Sequence, residues 1–194
     1  MRLSLSRRLA APFSALLLTT ALALPTGAVA EQVPAAVSDM LPTLQSWGSN
    51  PVLITAVAAQ NAEGKTLAQI QARDAEWRQT SEIDAGMQAL LDNAAAQELR
   101  RLEQSEPFFF EIFLMDGQGA NVAMTNKTSD YWQGDEAKFT ESFAGGQGSV
   151  HVGDVEFDES AQAYLVQVSV PVLQDGQAIG AMTIGIDLDA LEGQ

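Results

Sequence analysis

Apolar residues between positions 50 and 80 recur at the spacing of helices. Asn50 followed by Pro51 predicts a helix start, because Asn caps well and Pro at the first helical position loses no needed hydrogen bond. Thr66 with Gln69 three residues later has the spacing of a capping box, which predicts a second start. Four residues then share one face of the predicted helix, and its Trp is expected to anchor the packing: Leu67, Ile70, Asp74 and Trp77.

A further helix is predicted from about Ser81 to just before Pro107. Its apolar stripe is made of Met87, Leu90, Leu91, Ala94, Leu99 and Leu102. Residues 31–48 have two prolines and weak periodicity, so a linker or a frayed first helix is expected there. The helices are expected to cover a sheet, and their Ala-rich surfaces leave a dimer interface as an alternative.

From Phe108 onward the apolar pattern changes to that of strands. Residues 108–115 form a short bulky run, and Asp116-Gly117-Gln118-Gly119 after it is typical of a turn. The expected elements after this turn are a strand at 120–125, a helix at 135–143 and strands at 149–153, 162–173 and 178–187. Hairpins closed by Asp-Gly turns, with one inserted helix, predict an α+β domain with a five-stranded antiparallel sheet.

The loop within residues 123–136 has two adjacent aromatics, Tyr131 and Trp132, among Thr, Ser, Asp and Lys. Such rings usually either fill a core or line a ligand pocket. Gly180 and Gly185 in the last predicted strand leave room for another group to approach the backbone.

Composition limits the classes of function. The chain has 194 residues, 46% of them hydrophobic, which suits one compact domain, and it has no Cys and therefore no disulfide or thiolate metal site. Its formal net charge is −15. So acidic a chain repels nucleic acid and anionic lipid, so neither is expected as a partner.

Residues 1–30 have the pattern of a secretory signal peptide. A basic head is followed by an apolar run and by Ala28-Val29-Ala30, a typical cleavage site. The mature chain is expected to start near Glu31, with seven basic against 25 acidic residues and a formal net charge of −18. We therefore divide the chain into a signal peptide (1–30), a helical region (31–106) and a sheet region (107–194), the last two forming one domain.

The sequence offers little catalytic chemistry. His151 is the only His, no hydrolase or metalloprotease motif occurs, and a lone His in a strand is usually packed or on the surface. We expect no catalytic residue, cofactor or metal. Carboxylates do cluster in two places, which leaves Ca²⁺ as an alternative without EF-hand spacing: Asp130, Asp135 and Glu136, then Asp154, Glu156, Asp158 and Glu159.

Several segments together resemble the single-module Cache, or PDC-type, extracytoplasmic sensor domains. In the sheet half they are Ala123 to Glu136, Phe157-Asp158-Glu159-Ser160, Val168-Ser169-Val170-Pro171-Val172 and Ile179-Gly180. In the helical half they are Val57, Gln60-Asn61, Ile70, Asp74 and Trp77. The resemblance implies a PAS-like five-stranded antiparallel sheet behind long N-terminal helices, with a small molecule bound between the sheet and the segment joining its second and third strands.

Transferred to this chain, the resemblance implies that Tyr131 and Trp132 line the ligand pocket. It also implies that Asp158 accepts hydrogen bonds from an amine or a hydroxyl group. Flat rings supply apolar area and a few polar groups fix a ligand's orientation, so this assignment is physically sensible.

The chain departs from the amino-acid-binding members of this family, which have an Arg just before the aromatic pair. No Arg follows Arg101, so a bidentate clamp on a ligand carboxylate is absent from the sheet half. This argues against α-amino acids. A small carboxylate could still be held by Lys127 and Lys138 with the hydroxyls of Thr125 and Ser160.

The expected function is that of a periplasmic or secreted protein that binds a small polar metabolite, such as an organic acid or amine. A membrane receptor or kinase is the expected partner, because the chain ends after its last predicted strand with no helix to signal through. One alternative is a structural or adaptor module, in which Tyr131 and Trp132 pack into the core above no closed pocket. Another is an enzyme that uses carboxylates near Asp158.

Overall fold

The structure is a computed structural model that describes residues 33–158 and 162–193. The predicted signal peptide and Ser160 lie outside the described residues. The helices are α1 (Ala35–Trp47), α2 (Pro51–Ala62), α3 (Leu67–Arg78), α4 (Ala85–Asp92), α5 (Ala94–Glu103), α6 (Ala137–Phe143) and α7 (Leu188–Glu192). The strands are β1 (Phe109–Met115), β2 (Asn121–Met124), β3 (His151–Asp158), β4 (Ala163–Gln174) and β5 (Gln177–Asp187).

The five strands form one antiparallel sheet in the order β2-β1-β5-β4-β3. Strands β2 and β3 are therefore its edges, and α6 is inserted between them in the chain. In the middle of the sheet Val168 is opposite both Ile184 and Val152. This arrangement confirms the predicted α+β fold class with a five-stranded antiparallel sheet.

The two predicted helix starts are confirmed. The Asn50 side chain accepts a hydrogen bond from the Val52 N–H at 2.9 Å, and Pro51 begins α2. Thr66 and Gln69 form a complete capping box, in which each side chain bonds the other's backbone N–H. Local polar chemistry thus determines where α2 and α3 begin.

The single helix predicted at 81–106 is wrong, because the chain forms α4 and α5 with a break at Asn93. Asn93 has φ −66° and ψ 170°, outside the helical region, and its side-chain oxygen accepts from the Ala96 N–H at 2.8 Å. Its amide group donates to the Val122 carbonyl of β2 at 2.9 Å. A hydrogen bond to the sheet therefore holds the break in place.

Three other elements differ from expectation. Residues 35–47 form a complete helix despite Pro42, because Val37 and Leu44 are fully buried in the core. Strand β3 extends to Asp158 rather than ending at Gly153, since its pairing with β4 continues to the end. The short helix α7 follows the last strand, where none was expected.

Successive side chains along each strand lie on opposite faces of the sheet, and different helices cover the two faces. Val166, Val168 and Val170 belong to the core cluster that includes buried residues of α1, α2 and α5. Phe113 and Met115 of β1 belong to a second cluster, with buried residues of α3, α4, α6 and the loop before α6. Within the described residues, no helix is both long and apolar enough to cross a membrane.

Candidate functional site

A cavity of about 380 Å³ lies between the start of α6 and strands β3 and β4, and we call it the sheet cavity. Its apolar lining includes Val152, Phe157 and Leu165. Its charged and polar lining residues are Glu136, Lys138, His151, Asp154, Glu156, Asp158 and Gln167. This is where the sheet and the segment between β2 and β3 meet.

The period of two in β4 determines which side chains face this cavity. Leu165, Gln167 and Ser169 alternate with valines that belong to the core on the other face. Ser169 is opposite Thr183 of β5, and their hydroxyls are 2.8 Å apart and fully buried. The sheet therefore has polar groups on the face that α6 covers.

Glu111 of β1 extends this polar layer beneath the cavity. The Gln167 side chain donates a hydrogen bond to Glu111 Oε1 at 3.1 Å. A Cβ at Gly185 would come within 2.8 Å of Glu111 Cγ, so the glycine leaves room for the Glu111 side chain. Burial raises the pKa of Glu111, while the hydrogen bond from Gln167 and the positive charge of Lys138 oppose the shift.

Among the described residues, Lys138 is the one ammonium group that lines the sheet cavity. Its Nζ is 3.0 Å from Glu136 Oε2 and 5.7 Å from the centroid of the Phe113 ring, and its side chain is 20% exposed. The described carboxylates that line the same cavity are those of Glu136, Asp154, Glu156 and Asp158. The cavity is therefore negatively charged, and a bound cation would be favoured.

Two residues predicted to bind a ligand, Asp158 and Lys138, are thus brought to one cavity. They reach it from different elements, Asp158 from the end of β3 and Lys138 from the first turn of α6. A third, Ser160, lies outside the described residues. The ligand-binding role of each stays a prediction.

The two aromatic residues predicted to line the pocket lie elsewhere, and neither lines the sheet cavity. Tyr131 is only 5% exposed, and its ring centroid is 5.6 Å from that of Trp77 in α3. Trp132 is partly buried, and its indole N–H donates to the Gln118 carbonyl at 2.8 Å. The packing of Tyr131 against Trp77 is the arrangement that the structural alternative expects of this ring.

Asp74 holds this loop in place. It is 2% exposed, and its Oδ1 accepts hydrogen bonds from the main-chain N–H groups of Tyr131 at 2.9 Å and Trp132 at 3.1 Å. Its Oδ2 is 2.9 Å from the Arg78 guanidinium. A buried carboxylate with three such partners is well compensated, so α3 fixes the position of the aromatic pair.

Thr125 and Lys127 also lie outside the sheet cavity. The Thr125 hydroxyl accepts a hydrogen bond from the Ile112 N–H at 3.0 Å, continuing the pairing of β1 with the chain after β2. Lys127 Nζ donates to the Thr80 carbonyl at 3.1 Å and lies 5.7 Å from the centroid of the Trp77 ring. Both contacts hold the loop within residues 123–136, which contains Tyr131 and Trp132 and which we call the aromatic loop, against the rest of the fold.

Sequence reasoning missed His151 and Gln167 as cavity residues. The signal for Gln167 was present, because it is a polar residue at a period-two position between core valines of β4. His151 gave no such signal, since its place opposite Ser169 depends on the register of β3. In the described ranges, no group of three or more His, Cys, Asp or Glu side chains is arranged to hold a metal ion.

Comparisons by sequence identify no relative: no family model matches the chain, and no curated protein matches it. Comparison of structures does find similar folds. The sensor domain of the V. cholerae histidine kinase DctB is 17% identical with a TM-score of 0.43, over 82% of this chain and 52% of that one.

Two chemoreceptor domains are also similar. The ligand-binding domain of Pseudomonas aeruginosa PctC, solved with GABA, is 15% identical with a TM-score of 0.37, over 81% of this chain and 63% of that one. The sensory domain of Campylobacter jejuni Tlp3, solved with isoleucine, is 14% identical with a TM-score of 0.40, over 82% of this chain and 64% of that one. All three are described as sensor or ligand-binding domains, and this chain spans between 52% and 64% of their lengths.

Proposed function

We propose that this chain is an extracytoplasmic, sensor-type binding protein whose sheet cavity takes a small organic amine in its cationic form. One observation carries the proposal: in the part of the chain that the structure describes, four carboxylates and a single ammonium group line a cavity large enough for a small metabolite. Binding rather than catalysis is the role that this lining supports.

The charge of the lining favours an amine over an organic acid. The ammonium group of Lys138, which lines the cavity, is already 3.0 Å from Glu136. A ligand carboxylate would have to compete with Glu136 and would face Asp154, Glu156 and Asp158, which repel it. A ligand ammonium group, in contrast, would be attracted by the same carboxylates.

The apolar lining residues give the ligand's hydrocarbon part a surface to contact. Leu165 is 6% exposed and forms part of the wall, whereas Phe157 is 51% exposed and lies at the strand edge. Of the described lining residues, fewer are apolar than charged or polar, so the apolar ones contact the hydrocarbon part of a ligand whose charge the carboxylates hold. The ligand class we propose is therefore a primary amine on a short aliphatic or aromatic body.

The cellular part of the proposal rests on residues 1–30, whose pattern is that of a cleaved signal peptide. On this proposal the chain is exported, residues 31–194 form one domain, and a membrane receptor or kinase reads its loaded state. Intact-mass measurement of protein recovered from the periplasm or the medium tests the export step. A chain that keeps Met1, or that stays in the cytoplasm, contradicts it.

Binding is tested by thermal unfolding in the presence of matched amines and organic acids, because a ligand of the folded state raises the midpoint. We expect amines to raise it and acids of the same size to leave it unchanged. Asp158→Asn should reduce the effect of the amine. Asp175→Asn removes the same charge at the opposite end of β4, in the β4–β5 turn, and should not.

The amine site is contradicted if no amine raises the midpoint of unfolding. It is also contradicted if Asp158→Asn and Asp175→Asn reduce the effect of the amine equally. The structural alternative then gains support, since Tyr131 already packs in the core as it expects.

A further inference from the structure

A second cavity, of about 340 Å³, lies on the other side of the aromatic loop, between α3, α4 and Tyr131. We call it the helix cavity. We infer that it is a separate binding site for a small organic anion with an apolar body, such as an aromatic carboxylate. This inference does not rest on the amine site proposed above, since the two cavities share no lining residue.

Among the described residues, the charged ones that line the helix cavity are both cations, Lys65 and Arg73. No carboxylate in that part of the chain lines it, although the protein has 25 acidic and only 10 basic residues. The amide groups of Gln60 and Gln69 complete the polar lining. This lining is the opposite of that of the sheet cavity.

Arg73 is held in a fixed position at the cavity wall. Its Nη2 donates to both oxygens of Asp84, at 2.9 and 2.7 Å, and its Cζ is 5.5 Å from the centroid of the Trp77 ring. Its Nη1 also lies 3.4 Å from Oε2 of Glu76, whose side chain is 73% exposed. A guanidinium group has five N–H donors, so these contacts still leave donors for a ligand. An oriented Arg loses little side-chain entropy when it binds a carboxylate.

Lys65 supplies the second positive charge. Its Nζ is 2.8 Å from Glu63 Oε2, and the two side chains are 39% and 54% exposed. Ion pairs this exposed are weak, because water screens them, so an anion in the cavity can take one of the three Lys65 donors. The Gln118 side chain donates to the Lys65 carbonyl at 2.8 Å and fixes the backbone there.

Tyr131 gives the cavity a neutral hydrogen-bond donor. In the described part of the chain its hydrogen bonds are made by its main chain, with the N–H donating to Asp74 and the carbonyl accepting from Asn121. Burial raises the pKa of the Tyr131 hydroxyl, so the group stays protonated and can donate to a carboxylate.

The remaining wall is apolar and largely buried. Ile70 and Trp77 are 1% and 0% exposed, and Leu90 packs against the same core cluster. A wholly polar ion such as inorganic phosphate would leave this surface without a partner. A flat ring that bears one carboxylate would use both parts of the lining.

The test is an NMR titration of the full-length mature protein with benzoate, benzyl alcohol and inorganic phosphate, observed at the three Trp indole N–H groups. We expect benzoate to shift the Trp77 signal well before the Trp47 signal, because Trp47 lies in α1 away from the cavity. Benzyl alcohol and phosphate should bind more weakly than benzoate. Single Trp→Phe variants assign the signals.

Two variants locate the anion. Lys65→Gln removes a charged donor from an exposed side chain, and Tyr131→Phe removes only a hydroxyl, so both are expected to fold. Each should weaken benzoate binding, Lys65→Gln by about tenfold, the usual effect of losing a hydrogen bond to a charged group. Lys138→Gln in the sheet cavity is the matched control and should leave benzoate binding unchanged.

Three results would overturn the inference. They are no selective shift of Trp77, equal affinity for benzoate and benzyl alcohol, and benzoate affinity that neither Lys65→Gln nor Tyr131→Phe lowers. Failure of the amine to bind the sheet cavity would leave this result untouched, so the two proposals fail separately.

Discussion

The sheet cavity and the helix cavity are similar in volume but differ in the charge of their lining residues and in the burial of their walls. Carboxylates dominate the first, which opens beside the edge strand β3, where Asp154 and Glu156 are exposed. Cations line the second, which is backed by fully buried Trp77. The difference shows that a strongly acidic protein can still place cations on a cavity wall while the carboxylates that pair with them lie outside the lining.

The largest expected effect concerns the wall of the helix cavity. Trp77→Ala should lower the free energy of unfolding by about 3–5 kcal/mol, because it removes a fully buried ring from the core. Phe157→Ala, at the mouth of the sheet cavity, should cost much less, since Phe157 is 51% exposed. Urea denaturation of both variants measures the difference, and similar losses would contradict the contrast in burial between the two walls.

A somewhat smaller loss is expected at Asp74, which joins α3 to the aromatic loop. Asp74→Ala leaves the Tyr131 and Trp132 N–H groups without their acceptor, which should cost about 2–3 kcal/mol of unfolding free energy. Asp74→Asn keeps an acceptor oxygen and serves as the control, with a smaller expected loss. If the alanine variant unfolds at the wild-type urea concentration, Asp74 does not hold the loop.

The charge balance of the sheet cavity can be changed at a single residue. Lys138→Gln removes an ammonium group from the lining, so amine affinity should rise by about threefold, as expected for one partly screened charge. Isothermal titration with benzylamine measures this change. Weaker amine binding, or new binding of an organic acid, would show that Lys138 does not oppose the ligand.

The smallest expected effect is a dependence of stability on pH caused by Glu111. Its pKa in the folded state is raised from the ordinary value of 4.5 by burial, so the folded state holds this proton more tightly than the unfolded chain. The contribution of Glu111 to stability is therefore greatest below the unfolded pKa and is lost as pH rises through the folded pKa.

Glu111→Gln removes this titration while keeping a group of similar shape beside Gln167. Its unfolding free energy relative to wild type should increase as pH rises above 4.5 and then level off. Urea denaturation of both proteins across a series from about pH 4 to about pH 8 measures the difference. A difference that is constant with pH, or that falls, would contradict the raised pKa.

The sequence predicted those parts of the fold that depend on local chemistry. Asn50 and the pair Thr66 and Gln69 cap their helices through side chains a few residues away, so their patterns were sufficient. Asn93 caps α5 by the same kind of local pattern, through the Ala96 N–H, but it was missed because the apolar stripe continues across it. Only its hydrogen bond to Val122, 29 residues later in the chain, has no local signal.

The candidate site, like the fold, could be predicted only where local sequence patterns determine it. Asp158 and Lys138 were predicted to bind a ligand and do line the same cavity. The orientation of Tyr131 could not be predicted, because it is set by contacts with Asp74 and Trp77, more than 50 residues earlier. An aromatic residue in a polar loop indicates a buried ring, but only the tertiary contacts show which cavity that ring lines.

The most direct test of the central claim uses two probes of the same shape and opposite charge, benzylamine and benzoate, in one NMR titration series with assigned backbone amides. We predict that benzylamine shifts the signals of Lys138, His151 and Gln167 in the sheet cavity. We predict that benzoate shifts those of Lys65, Arg73 and Trp77 in the helix cavity. If both probes shift the same set of residues, or if benzylamine leaves the sheet cavity unchanged, the assignment of a cationic ligand to that cavity is wrong.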